Sequence, residues 1–169
     1  MSRRDLALGH SVVWGTTALA AAAVALAPGA AAQARRVFGF RLDAPVDGSW
    51  SHAAAYFVTN TRALLGLLLL AWLRPRSGPL RRSADAVFAA IVGANTALVG
   101  ACIGAYGGDA LPCLAHLPFE WSAIAVVAGA YASGARESVR RGELMPAVIA
   151  GGLLLAAAAI VESFISTVR

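Results

Sequence analysis

A histidine and a glutamate stand four residues apart, His116 and Glu120, in sequence that is otherwise strongly apolar. If the helix extends back over Pro118 the two share a face, and if it begins at Pro118 they still lie within one turn. A His–carboxylate couple in a shielded pocket has the chemistry of a general base, and Arg62 with Asn60 has that of an oxyanion stabiliser. Glu162 and Asn95 are further polar groups within apolar runs. Ionisable side chains at membrane depth are costly, face the bundle interior and mark functional sites by default. Asn60, Arg62, Asn95, His116, Glu120 and Glu162 are therefore the candidate polar pocket, with His116 and Glu120 as the catalytic candidates.

Each of these residues also has a purely structural role open to it. A carboxylate in the first turn of a helix is favoured by the dipole and by capping of free N–H groups, typically by about 0.3 to 1 kcal/mol. Arg62 has Glu120 and Glu162 as candidate ion-pair partners between helices, and Asn60 and Asn95 suit interhelical hydrogen bonds. One arginine against two glutamates leaves negative charge uncompensated, which requires either a protonated His116 or a glutamate of raised pKa. One His and two Glu would suffice chemically for a metal, but no H-E-x-x-H or comparable spacing is present, so neither metal nor cofactor is expected. Cys102 and Cys113 fit neither a zinc motif nor a redox C-x-x-C. They read as isolated thiols, with a disulfide as the alternative because both fall near one membrane face.

The elements that must carry these residues are membrane helices. In 169 residues, 59% are hydrophobic, and the mean hydropathy is +0.68. That is more apolar surface than a soluble domain of this size buries. The net charge of +5 comes from arginine alone, in short clusters between apolar runs. Such clusters read as membrane topology and exclude a nucleic-acid-binding stripe. Five runs approach the roughly 20 residues a spanning helix requires, at 11–32, 54–73, 84–104, 117–135 and 145–168. The two-residue alternation of a β-barrel is missing. The fold class is thus all-α, a single transmembrane domain of five helices in the cell (inner or plasma) membrane.

Orientation follows from the arginines, which accumulate on the cytoplasmic side. Arg3 and Arg4, the second loop (Arg74, Arg76, Arg81, Arg82) and the fourth (Arg136, Arg140, Arg141) are expected inside, and the arginine-free third loop, 105–116, outside. This gives a cytoplasmic N-terminus and an outer C-terminus. The first loop, with Arg35, Arg36 and Arg41, is the exception; its Asp43, Asp47 and Trp50 suit an exposed segment returning through an interfacial aromatic. Residues 1–34 also have the charge, apolar run and small residues of a secretory signal, but the run is long enough to span, and a retained first helix is expected. Gly100 with Gly104, and Ala130 with Gly134, place small residues where helix backbones can approach closely. With depth counted at about 1.5 Å per residue, Asn60, Arg62, His116, Glu120 and Glu162 fall in the outer half and Asn95 forms a floor.

The same residues carry a family resemblance. Asn60, Asn95 with Gly100, His116 with Glu120, Ala128-Gly129, and Val161-Glu162-Ser163-Phe164-Ile165-Ser166 follow in an order that resembles the stage II sporulation protein M family of polytopic membrane proteins. Thr96, Ala115 and Leu117 stand where that pattern has Gly, Pro and Gly. The resemblance implies a five-span bundle, a shared polar pocket, and a membrane scaffold that recruits other proteins. Partners are then the lipid bilayer and a protein in the membrane or outside it, with a homo-oligomer as an option and no nucleic acid. Three functions remain open at this point: a non-catalytic scaffold, which the resemblance favours, a small transporter or channel, and an intramembrane hydrolase using His116 and Glu120.

Overall fold

The computed structural model describes residues 1–39, 48–75, 77–134 and 141–165, without the side chains of 134 and 141–143. Arg41, Asp43, Asp47, Arg76, Arg136, Arg140 and the end of the fifth run lie outside them. Among the described residues the chain is all-helical. The elements are α1 (Arg3–Leu26), α2 (Ala30–Phe38), α3 (Trp50–Leu73), α4 (Gly78–Tyr106), a 3-10 turn (Gly107–Leu114), α5 (Leu117–Gly134) and α6 (Arg141–Phe164). Four helices are long and apolar enough to cross a membrane: α1, α3, α4 with its 3-10 extension, and α6. Leu19, Leu26, Leu65, Leu69, Trp72, Ile149 and Leu153 lie on the outside of the bundle. A belt of large apolar side chains on the surface is what lipid contact requires of a membrane protein and what a soluble one avoids.

The element boundaries differ from the hydropathy reading for local reasons. The first run is not one helix over 11–32. A capping box between Ser2 and Asp5 starts α1 at Arg3. Pro28 and Gly29, the latter at φ +75°, end it and begin the separate nine-residue α2. α3 begins at Trp50 because the Ser49 hydroxyl accepts the His52 N–H at 3.2 Å. α4 begins at Gly78, with Pro79 in its first turn, so Arg81 and Arg82 belong to the helix and not to the loop. α6 begins at Arg141, four residues before the expected position.

Side-chain neighbours give each helix a direction. Gly129 lies against Asp5, Gly9 against Ala125, and Trp121 Nε1 donates to Thr17 Oγ1 at 2.9 Å, so α1 and α5 are antiparallel. Gly100 faces the Thr17 carbonyl and Gly104 that of Ala21, so α1 and α4 run together. Asn60 meets Glu120 at one end and Arg74 meets Tyr131 at the other, so α3 runs with α5. Early α6 packs on late α5 through Leu144, Ala147, Val126 and Ala130. The five long helices thus alternate in direction along the chain.

α5 is the axis of the bundle. It touches α1, α3 and α6 along its length. Trp121, Ala123, Ala125, Val127 and Tyr131 are buried against Val13 of α1, Leu64, Leu67 and Leu68 of α3, Phe88 and Val92 of α4, and Leu155 of α6. Small residues permit this. A side chain at Gly9, Gly100 or Gly104 would collide with a backbone carbonyl of the facing helix. Without a hydrophobic drive between helices in lipid, such close backbone approach is a main source of association.

Candidate functional site

The N-terminal end of α5 meets the C-terminal end of α6. His116 is the cap of α5, its carbonyl accepting the N–H groups of Phe119 and Glu120 at 3.0 and 3.3 Å. One turn on, Glu120 turns Oε2 toward His116 Nε2, 3.8 Å away, which is ion-pair rather than hydrogen-bond distance. The two side chains are only 15% and 16% exposed. Asn60, arriving on α3, donates its amide Nδ2 to the other oxygen, Glu120 Oε1. From α6, Glu162 completes the group: one ligand-type atom from each of His116, Glu120 and Glu162 lies within 4.8 Å of the others. Three helices separated by up to 102 residues thus contribute to one half-buried polar cluster. Burial holds the imidazolium of His116 below its ordinary pKa, which favours the neutral ring.

Arg62 and Asn95 are placed differently. α3 and α4 barely touch one another, and between them runs a recess of about 410 Å³ floored by Glu120, Trp121 and Ile124 of α5. Arg62 and Asn95 line it from opposite walls, and both are exposed. Asn95 Nδ2 donates to the Ile91 carbonyl at 2.8 Å, a bond within its own helix. Among the described residues no ion pair joins Arg62 to Glu120 or Glu162. Residues two apart on a helix do not face each other, which is why Asn60 reaches Glu120 and Arg62 stays at the rim. Cys102 and Cys113 are free thiols.

A second polar cluster escaped the sequence reading. Arg74, just past α3, donates to Asp85 of α4 through Nε at 2.6 Å and NH2 at 3.0 Å. Its guanidinium lies over the Tyr131 ring, 4.7 Å from the centroid. The Tyr131 hydroxyl donates to the same Asp85 at 2.6 Å, and Phe88 stacks on its ring. The hydrogen bond to Asp85 holds the Arg74 guanidinium above its already high pKa, so it stays charged. Tyr131 lies eleven residues beyond Glu120, about 16 Å at roughly 1.5 Å per residue, so the two clusters brace opposite ends of α5. The available signal was Asp85, an acid at the start of an apolar run next to an arginine-rich turn.

Comparisons of the chain with protein-family models, curated proteins and solved structures return no match.

Proposed function

We propose that this chain is a five-span scaffold of the cell membrane, of the kind the sporulation protein M resemblance implies, and that a partner protein's membrane helix seats in the recess between α3 and α4. The observation that carries this reading is the exposed pair Arg62 and Asn95 on the walls of a mostly apolar groove. An arginine facing hydrocarbon is costly, and a helix that brings an acid or hydrogen-bonding side chain into the groove removes that cost. Asn60, His116, Glu120 and Glu162, four of the residues on which the resemblance rests, meet in one polar cluster, while Asn95 stands apart on the groove wall.

Five spans are supported by the alternation of helix direction. α5, 18 residues long, is about 27 Å long at roughly 1.5 Å per residue, close to the hydrocarbon thickness. Its neighbours α1, α3 and α6 pack around it. A cytoplasmic N-terminus is supported by Arg3, Arg4, Arg74, Arg81 and Arg82 falling at one end of the bundle. The opposing Arg35 serves a local purpose instead. Its Nε donates to the Ala105 carbonyl at 2.5 Å and its guanidinium lies over Tyr106, finishing the end of α4.

A photo-reactive residue at Leu98, on the groove wall, tests the scaffold in cells. One discrete crosslinked protein is expected, lost with Arg62→Glu, while a probe at Leu19 on the outer face of α1 gives none. A second reading, a small transporter, draws on the size of the recess, which lies in the range of small-molecule pockets. Substrate-dependent flux in proteoliposomes that Arg62→Ala abolishes would move the assignment there.

A further inference from the structure

We propose that His116, Glu120 and Glu162 form a binding site for one divalent transition-metal ion of the zinc class, beside the α3/α4 recess that Glu120 also lines. The donor set is one imidazole and two carboxylates, each offering an atom within 4.8 Å of the other two. Imidazole nitrogen and carboxylate oxygen are both zinc ligands, and three protein ligands with a fourth position left for water are the usual count in an open zinc site. Tetrahedral bonds of roughly 2.0–2.2 Å put donor atoms about 3.3–3.6 Å apart. Small rotations of three side chains close the remaining distance.

The composition of the cluster adds to the geometry. Two carboxylates and one imidazole gather in a half-buried site at the end of an apolar bundle, and among the described residues no arginine is paired with either carboxylate. A divalent cation held between them is a counter-ion that both carboxylates can share, and the adjoining arginine stands at the groove rim instead. The surroundings are also built for a ligand. Asn60 holds Glu120 Oε1, leaving Oε2 as the oxygen facing His116, which is the outer hydrogen bond that orients a ligating carboxylate. Glu120 lines the recess, so water and ion have a route to the open position. No sequence motif announces the site because its third ligand comes from another helix, 42 residues on.

The test uses the full chain in detergent micelles, stripped with chelator and titrated with Zn²⁺, with the bound ion counted by mass spectrometry and Co²⁺ used as a spectroscopic substitute. One ion per chain is expected, with Co²⁺ bands free of thiolate charge transfer. The isosteric Glu162→Gln should weaken binding tenfold or more while helix content and monodispersity are kept, and His116→Ala should do the same. Asn60→Ala, acting through Glu120, should weaken it about tenfold. Cys102→Ser with Cys113→Ser should leave it unchanged. Substoichiometric uptake by the wild type, affinity unaltered in a folded Glu162→Gln variant, or a thiolate band with Co²⁺ would each overturn the site; protons rather than a metal would then neutralise the carboxylates.

Discussion

Tyr131 does three things at once: it stacks on Phe88, carries Arg74 over its ring and donates to Asp85. Tyr131→Phe removes only the last of these. In a membrane bundle such an interhelical bond is worth about 0.6 kcal/mol and rarely above about 1.7, so a loss near 1 kcal/mol is expected in detergent unfolding. Arg74→Ala should cost more, because it leaves Asp85 without its bidentate partner and uncovers the ring. The double variant should then be less harmful than the sum, since both act on one acid; strict additivity would show that the two contacts are separate. The residue scale is also where the sequence was hardest to read. The His116–Glu120 couple was legible from its spacing alone, whereas Glu162 joins it by tertiary packing that no local pattern encodes. Arg62 had the right composition for the cluster but sits two residues from Asn60, and helical periodicity alone puts it on another face.

At the scale of elements, the apolar runs were legible because each spanning helix must be apolar over its whole length, whatever its neighbours are. Their ends were less so. Pro28-Gly29 divides the first run within apolar sequence, where a hydropathy window averages over the break. Arg35 and Arg36 looked like an exception to the charge rule until Arg35 was seen to bond the last turn of α4. The small-residue spacing at Gly100 and Gly104 was readable as a contact face, though not which helix it contacts. α1 is that helix, and the contact makes a graded test. Gly100→Ala and Gly104→Ala place a methyl group on the carbonyl oxygens of Thr17 and Ala21, and overpacking of this kind costs about 1–3 kcal/mol. Gly93, one helical stretch earlier in α4, has open space around the same position. Gly93→Ala should therefore be neutral or stabilising by up to about 1 kcal/mol, from helix propensity. Thermal midpoints of the three variants in one detergent check the ordering, and equal midpoints would remove the close α1/α4 contact.

For the whole molecule, the decisive property is that α5, which is not among the four helices long and apolar enough to cross a membrane, is packed among them. Glu120 meets Glu162 at one end of α5 and Tyr131 meets Asp85 at the other, which sets α4 and α6 antiparallel to α5, and the α1 and α3 contacts complete the alternation. With α5 counted as the fifth span, as proposed, alternation would assign every connection to a side of the membrane, and this can be tested without knowledge of function. In a Cys102→Ser, Cys113→Ser background, a single cysteine at Ser77 or at Gly108 reports on the two connections that flank α4. Ser77 caps α4 without a side-chain hydrogen bond, and Gly108 is exposed with open space around it, so neither replacement disturbs packing. An impermeant maleimide added to intact cells should label Gly108→Cys and leave Ser77→Cys until the membrane is opened. The reverse pattern would keep the alternation and invert the orientation. Labelling of both from outside would mean that α4 does not cross, and would separate the His116–Glu120–Glu162 end of the bundle from the membrane face on which the scaffold reading depends.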